Sequence, residues 1–434
     1  MQAKNFLIII LTLSTFLLTG CYNKKELDNL AYVIALGADV GSGDELNITY
    51  QIAVPVKISS DSGKTGEENY ITHTVTANSL YTGNSKVNSL TSKEVNLSHV
   101  KLIVYSEELA KQDLSGHING IVSNVSIRPK TTVALCKGKA KDFLEKITPN
   151  LEASPARYYE LLFESQKYTD DTIASELINF YSTAGALDQA TTLLILSNQS
   201  GDDKESSRTK NEENLKNEQK ISGISNKNDQ SGKNGTDDNS GGNEEKSEDK
   251  KNKSETKFLG IAAFNGGKMV GTIPEELVAS HLILTSSLKN GNITVEDVEQ
   301  ENKLVSIHLT QNKHCKFDVT LENETPEINI YIDLTAKLQS SNSITDYLTK
   351  KNKNALKEKI EEKLEQQLNE YFKLTQEFNS DIAGLGKYVK TKYLTWEEFK
   401  KSKWLENYKN AKINIAVNID LNVSRVISHT VPNI

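Results

Sequence analysis

The residues of this sequence that could do chemistry are few and far apart. Of its 434 residues, three are cysteine and seven are histidine. The histidines form no HExxH motif and no paired spacing with cysteine, which a zinc site would need. They are His73, His99, His117, His281, His308, His314 and His429. We therefore predict no metal site and no cofactor.

A second candidate for chemistry is the pair Ser98 and Lys101, which has the Ser-x-x-Lys spacing of penicillin-interacting enzymes. The pair lies at the edge of a predicted strand rather than at a helix start, and neither Ser-Asp-Asn nor Lys-Thr-Gly follows it. Cys136 and Cys315 each lie in or beside a predicted strand. We predict that their side chains are small buried apolar groups, in preference to metal ligands or nucleophiles. We predict no catalytic residue and no enzymatic activity.

The remaining cysteine, Cys21, follows an apolar run at residues 6–18 that is typical of an export signal. Leu18, Thr19, Gly20 and Cys21 together resemble a bacterial lipobox. In that motif diacylglycerol is attached to the cysteine sulfur and the peptide is cut before the cysteine. Two acyl chains suffice for stable membrane anchoring, whereas one is marginal. We predict that Cys21 is the lipidation site; the alternative is an ordinary signal peptide with an incidental cysteine.

Composition excludes two classes of protein. Lys and Arg number 51 against 58 Asp and Glu, which gives a net charge of −7 and no basic excess to neutralise nucleic-acid phosphates. Hydrophobic residues make up 37% of the chain and the mean hydropathy is −0.49, too low for several membrane spans of roughly 20 apolar residues each. We predict no nucleic-acid partner and no multi-spanning membrane protein.

The chain divides around one polar segment. Residues 198–256 are mostly Asn, Ser, Gly, Asp, Glu and Lys, and such a segment buries too little apolar surface to offset its ordering entropy. We predict that it is a disordered linker, either a solvated spacer or a regulatory segment. The other predicted units are a signal peptide (1–20), an N-terminal α+β domain (21–197), a small middle domain (257–310) and a C-terminal α+β domain (311–434).

Hydrophobic periodicity supplies the fold class. Alternating runs around residues 305–309, 315–321 and 328–334 predict an antiparallel meander, and Asn265-Gly266-Gly267 predicts a hairpin turn. Apolar residues four apart between Leu356 and Phe372 predict a long helix lying across a sheet. The predicted class is mixed α+β and multi-domain, with mostly antiparallel sheets, helices packed on one face, and a disordered linker.

Three aromatic residues near the C-terminus are candidates for partner contact. Thr395 and Glu398 have capping-box spacing, and the short helix that they begin carries Trp396, Phe399 and Trp404. Aromatic side chains dominate interface hot spots, so these three could anchor a partner. The alternative is core packing under the last strand.

Five blocks of the sequence, in order, resemble the Ger(x)C family, the C-subunit lipoproteins of spore nutrient-germinant receptors. Tyr22-Asn23 stand where that family often has Trp-Asp, and the charged linker is longer than the family needs. The blocks are Cys21 to Gly37, Ser98 to Lys111, Arg128 with Lys137 to Ala140, the hairpin from Leu259 to Gly271, and Asp381 to Phe399, and residues 257–434 together are similar to the GerAC-like C-terminal region.

The resemblance implies a three-domain, mixed α/β subunit without catalytic activity. It would be held by diacylglycerol on Cys21 at the outer face of the spore inner membrane, where it would work with membrane-spanning A and B receptor subunits. The competing hypotheses from the sequence are a lipid-anchored solute-binding protein of a transporter and a surface hydrolase. The first predicts parallel sheets in two lobes, and the second predicts paired carboxylates or a triad.

Overall fold

The computed structural model describes residues 4–6, 26–54, 70–124, 126–147, 152, 154–200, 254–322 and 325–423. Within these ranges the chain forms two β-sheets and 11 α-helices, which confirms the mixed α+β, multi-domain class.

The first sheet has nine strands in the order β3-β2-β1-β5-β6-β7-β8-β9, with β4 also paired to β1. The strands are β1 (Leu30–Val40), β2 (Leu46–Ala53), β3 (Tyr70–Ala77), β4 (Glu94–Asn96), β5 (Leu102–Ser106), β6 (Thr132–Cys136), β7 (Thr192–Ser200), β8 (Ser254–Asn265) and β9 (Lys268–Pro274). Strands β1, β5, β6 and β7 are parallel neighbours, and the outer pairs are antiparallel.

Six of the helices accompany this sheet along the chain. They are α1 (Leu80–Thr91), α2 (Glu107–Ala110), α3 (Ser115–Val122), α4 (Ala140–Lys146), α5 (Pro155–Glu164) and α6 (Leu177–Ala184). Apolar residues of α4 and α5 belong to the core on one face of the sheet, and those of α1, α3 and α6 belong to the core on the other face. Helices were predicted on one face of the sheets, but in the first sheet they cover both faces. Every residue of β5 is buried, as is typical of a parallel strand covered on both sides.

The second sheet has five strands in the order β10-β11-β13-β12, with β14 also paired to β13. They are β10 (Gly291–Glu296), β11 (Leu304–Thr310), β12 (Lys316–Glu322), β13 (Thr325–Ser341) and β14 (Lys412–Asn422). The predicted meander is wrong in strand order, because β11 pairs with β13 and not with β12. The 17-residue β13 is long enough for β12 and β11 to pair with successive parts of it, at 325–331 and 335–341.

A long helix covers one face of the second sheet, as the sequence predicts. The remaining helices are α7 (Val278–Leu284), α8 (Lys350–Glu377), α9 (Gly386–Val389), α10 (Trp396–Ser402) and α11 (Trp404–Asn407). The predicted apolar stripe of α8 is buried at Leu356, Ile360, Leu364, Leu368 and Phe372. Helix α8 packs mainly against β14 and also contacts β10. One apolar cluster runs from the α4 and α5 face of the first sheet into this layer, so the two sheets share a core.

Two predicted boundaries need correction. The predicted linker begins and ends in strand, because Asn198 pairs with Thr256 and Ser200 with Ser254 in the β7–β8 ladder. Residues 201–253, where disorder was predicted, lie outside the described residues. The segment 257–310, predicted as a small middle domain, is divided between the sheets, because β8 and β9 extend the first and β10 and β11 belong to the second. Alternation shows that a segment is strand but not which sheet it joins.

Candidate partner-contact site

The sequence candidates for chemistry do not assemble into a catalytic site. The Ser98 hydroxyl donates to Asn96 Oδ1 at 2.6 Å, while the Lys101 ammonium pairs with the Glu160 carboxylate. The hydrogen bonds that Lys101 and Arg157 donate to the Glu160 carboxylate lower its pKa. Because Ser98 and Lys101 each have another partner, their spacing does not make a nucleophile pair.

The cysteines of the body are packing residues. Cys136 and Cys315 are both buried, as predicted from their strand positions, and each has a free thiol. Burial raises the pKa of both thiols, so they stay protonated and are poor nucleophiles. Among the described residues, no group of three or more His, Cys, Asp or Glu side chains could hold a metal ion.

The predicted lipidation site lies outside the described residues. This holds for Cys21 and for Leu18, Thr19 and Gly20 before it. In the part of the chain that the structure describes, no helix combines the length and apolar character needed to cross a bilayer. Anchoring through Cys21 therefore stays a prediction.

The aromatic segment is held by the capping box that the sequence predicts. The Glu398 N–H donates to Thr395 Oγ1 at 3.2 Å, and the Leu394 N–H donates to Glu398 Oε2 at 3.1 Å. The first bond satisfies an N–H group that the start of α10 would otherwise leave unpaired, and the second ties the residue before the cap to the same helix. Lys403 then adopts a left-handed conformation, with φ of 48°, and separates α10 from α11. The cap and this turn set the directions of the three aromatic side chains.

Two of the three aromatic candidates are core residues. Phe399 is 2% exposed and packs edge-on against Tyr393, with ring centroids 5.7 Å apart. Trp404 is 3% exposed, and its indole Nε1–H donates to Asp381 Oδ2 at 2.8 Å. A partner cannot reach either ring without unpacking the fold, so for these two residues the packing alternative holds.

The third candidate, Trp396, stands beside an exposed residue that sequence reasoning missed. Trp396 is 48% exposed and Leu394, on the other side of the Thr395 cap, is 95% exposed. An apolar residue before a helix cap commonly packs against the fourth helical residue, here Phe399. The exposure of Leu394 shows that this staple is not formed. The signal that could have found it is its position directly before the capping box. We call Leu394 and Trp396 the apolar tip.

Behind the apolar tip, one buried carboxylate joins the α8–α9 loop to α11. Asp381 accepts hydrogen bonds from the Leu385 and Gly386 N–H groups, at 2.9 and 2.8 Å, and from Trp404. Burial raises the pKa of Asp381 to about 6, and the backbone and indole donors oppose that rise. A side chain at Gly386 would overlap Trp404, since an added Cβ would lie 2.4 Å from its ring.

The same loop ties the two sheets together. The Ala190 N–H donates to the Asp381 carbonyl at 2.8 Å, and Ser380 Oγ donates to the Phe264 carbonyl at 2.7 Å. Lys390 also forms an ion pair with Asp188, just before β7. The segment from Asp381 to Trp404 is therefore a structural joint that presents the apolar tip at its outer side.

Comparison with known proteins identifies the class to which this two-sheet fold belongs. The family model described as "Spore germination protein N-terminal domain" matches residues 23–197, and the one described as "Spore germination B3/ GerAC like, C-terminal" matches residues 259–425. The class is that of spore germination proteins. The chain belongs to its Ger(x)C family, as the five sequence blocks predict.

Individual relatives are distant. Over 170 residues the chain is 26% identical to spore germination protein A3 of Bacillus subtilis (strain 168), covering 38% of this chain and 44% of that protein. Over 154 residues it is 25% identical to spore germination protein KC of the same organism, covering 34% and 38%. The alignments therefore span less than half of these relatives. The crystal structure of the GerBC protein has a similar fold, with a TM-score of 0.51, 12% identity, and coverage of 89% of this chain and 96% of that chain.

Proposed function

We propose that this protein is a non-enzymatic, lipid-anchored subunit of a spore nutrient-germinant receptor, acting through protein contacts at the membrane surface. The observation that carries the proposal is the match of both family models, one on each side of the polar segment. Its partners would be the membrane-spanning A and B subunits of that receptor.

The anchor in this proposal is diacylglycerol on Cys21, at the outer face of the spore inner membrane. Its support is the lipobox-like run of Leu18, Thr19, Gly20 and Cys21 after an apolar segment. A tether of this kind raises the effective concentration of neighbouring subunits to roughly the millimolar range for a short linker. Weak contacts between extramembrane surfaces then suffice for assembly.

Replacing Cys21 by alanine tests the anchor. We expect the Cys21→Ala protein to lose incorporation of labelled palmitate and, when expressed without receptor partners, to leave the membrane fraction after a high-salt wash. The Cys136→Ala variant is the matched control, because it removes a cysteine that is buried and should stay both labelled and membrane-bound. Retention of processed Cys21→Ala protein in salt-washed membranes would contradict lipid anchoring at this residue.

The contact surface in this proposal is the apolar tip, because its two residues are exposed and lie on either side of the Thr395 cap of α10. We expect Leu394→Ser with Trp396→Ser to slow the nutrient response of spores severalfold, while lowering the free energy of unfolding by only about 1–2 kcal/mol, because the half-buried Trp396 ring also packs on Phe399. Phe399→Ala is the contrasting variant, with an expected loss of about 3–5 kcal/mol because it opens a cavity in the core. Germination rate and chemical denaturation are measured together. If spores with the double variant germinate at the wild-type rate, the apolar tip is not part of the contact surface.

A further inference from the structure

The loop between β13 and α8, residues 342–349, is held from inside by one buried carboxylate. Asp297 follows β10 directly and is 4% exposed. It accepts hydrogen bonds from the hydroxyl groups of Ser343 and Tyr347, and from that of Thr345 at 2.8 Å. These three hydroxyl residues alternate along the chain, and the residues between them are turned outward. The network around Asp297 therefore decides which side chains of the loop reach solvent.

Three aliphatic side chains are exposed at this end of the second sheet. In the loop, Ile344 is 76% exposed and Leu348 is 41% exposed. Leu304, at the start of β11, is 49% exposed and lies beside the loop, because its N–H donates to Asn342 Oδ1 at 2.7 Å. Turning the two loop residues inward would break hydrogen bonds to Asp297, so they stay in solvent. We call Leu304, Ile344 and Leu348 the aliphatic patch.

The charges of α8, which follows the loop, run against the helix dipole. Residues 350–360 contain five lysines and one glutamate, whereas residues 361–377 contain two lysines and five glutamates. The first turn of α8 has no acidic residue, and its last turn has no basic residue. The N-terminus of a helix carries positive partial charge, so the opposite arrangement would stabilise α8. The stability of the helix therefore does not explain the lysines at its start, which are Lys350, Lys351, Lys353, Lys357 and Lys359.

Two of these five lysines serve the fold. Lys357 pairs with Glu361 at 3.5 Å, and the Lys359 ammonium donates to the Asp297 carbonyl at 2.9 Å. The other three are exposed and form no ion pair within the described ranges; they are Lys350, Lys351 and Lys353. The acidic residues nearby are Asp346 in the loop, whose carboxylate accepts from the Leu348 N–H, and Glu299 and Glu301 on the β10–β11 turn. Positive charge is therefore concentrated at the start of α8, beside the aliphatic patch.

This composition favours a lipid bilayer over a protein as the occupant of the surface. Protein interfaces are depleted in lysine, and their hot spots are enriched in Trp, Tyr and Arg, with Leu under-represented. Exposed aliphatic side chains next to lysines are typical of segments that contact anionic lipid. The aliphatic groups enter the interface, and the long lysine side chains bring their ammonium groups to the headgroup phosphates.

We propose that the aliphatic patch, together with Lys350, Lys351 and Lys353, is a contact surface for an anionic lipid bilayer. Ile344 and Leu348 enter the headgroup region, and the three ammonium groups bind lipid phosphates. This contact is separate from the apolar tip and from the anchor proposed at Cys21. The proposed function can therefore hold without it, and the contact can form without the receptor partners.

The surface is tested by fluorescence on the full-length protein reconstituted with vesicles. Ile344→Cys carries a bimane label, and the vesicles contain a phospholipid with a nitroxide on its acyl chain, which quenches a label that enters the bilayer. One set of vesicles is phosphatidylcholine alone, and the other also contains anionic phosphatidylglycerol. Tyr81→Cys is the control position, because Tyr81 is 85% exposed on α1 of the first sheet. Protein without an added cysteine reports any label on the native thiols.

Charge is varied at the three lysines together. One variant combines Lys350→Gln, Lys351→Gln and Lys353→Gln, and the matched control changes the same three residues to arginine. We expect quenching at position 344 with anionic vesicles, little with phosphatidylcholine alone, and none at position 81. Each lysine near an anionic surface strengthens association roughly fivefold, so the glutamine variant should weaken it about 100-fold and lose the quenching. The arginine variant should keep the quenching.

The proposal is overturned if the label at position 344 is not quenched by anionic vesicles, or is quenched equally by neutral ones. Quenching that survives the glutamine variant, or that is equal at position 81, would also overturn it. So would a label that lipid does not quench but that the A and B subunits shield from iodide, since this assigns the surface to a protein. Failure of the Cys21 anchor is read separately, from flotation of the wild type with neutral vesicles after a salt wash.

Discussion

Spores that lack this protein are expected to lose their response to one class of nutrient, while growth, sporulation and receptor-independent germination stay normal. In the proposed function the protein acts by completing a receptor assembly, so its removal should disable that receptor and no other process. The measurement is the loss of optical density of spores after addition of single nutrients and nutrient mixtures.

The strain for this experiment carries no other gene of the Ger(x)C family, so that no relative can substitute. Reintroducing the wild-type gene should restore the response, and the Cys21→Ala gene should restore it in part, because the described domains fold without the tether. Normal germination of the deletion strain with every nutrient mixture would refute the receptor proposal. That outcome would favour the alternative of a lipid-anchored solute-binding protein.

Replacing Asp381 by alanine is expected to lower the free energy of unfolding by about 3–5 kcal/mol, among the largest effects of any single substitution in this chain. The change removes the acceptor of two backbone N–H groups and of the Trp404 indole, all in a fully buried place. Each donor left unpaired costs about 1–3 kcal/mol. Fluorescence-detected denaturation reports on this site, because Trp404 is one of two tryptophans in the chain. Asp420→Ala, on the exposed side of β14, is the control and should change stability by less than about 0.5 kcal/mol.

The same carboxylate gives a pH dependence of known sign. Its pKa is about 6 in the folded protein, against 3.8 for the ordinary group, so the folded state binds the proton more tightly. The stability that this provides is fully present only below the ordinary pKa of 3.8 and is lost as the pH rises through about 6. The advantage of the wild type over Asp381→Asn, which cannot titrate, should therefore shrink by about 2 kcal/mol between pH 4 and pH 7. A difference independent of pH would show that Asp381 does not titrate in this range.

Local patterns in the sequence were sufficient for several elements. The Asn265-Gly266-Gly267 turn forms the β8–β9 hairpin, with Gly266 at φ of 58°. The Thr395–Glu398 capping box begins α10, and the four-residue spacing of α8 buries the predicted stripe. These features depend on neighbours within a few residues, so the sequence contains their whole cause.

The family could also be predicted from the sequence. The five blocks keep their order along the chain and can be recognised although the residues between them differ. The candidate contact site could be predicted from the sequence only in part. The three aromatics have similar propensities, yet Trp404 is buried on Asp381 whereas Trp396 is half exposed. Leu394 was missed because Tyr393 and Trp396 pack against Phe399. Leu394 does not take that place and is left exposed.

Strand partners and strand directions were decided only by the tertiary structure. Strand β14 alternates clearly in sequence, but its parallel pairing with β13 joins residues 327–337 to residues 412–422. Likewise β8 returns to pair with β7 after residues 201–253, so the first sheet continues beyond the polar segment that was predicted to end it. An alternating pattern indicates which face of a strand is buried. It does not indicate which strand lies beside it or whether the two run parallel or antiparallel. Those are chosen by the packing of distant segments on a shared core, which exists only once the chain has folded.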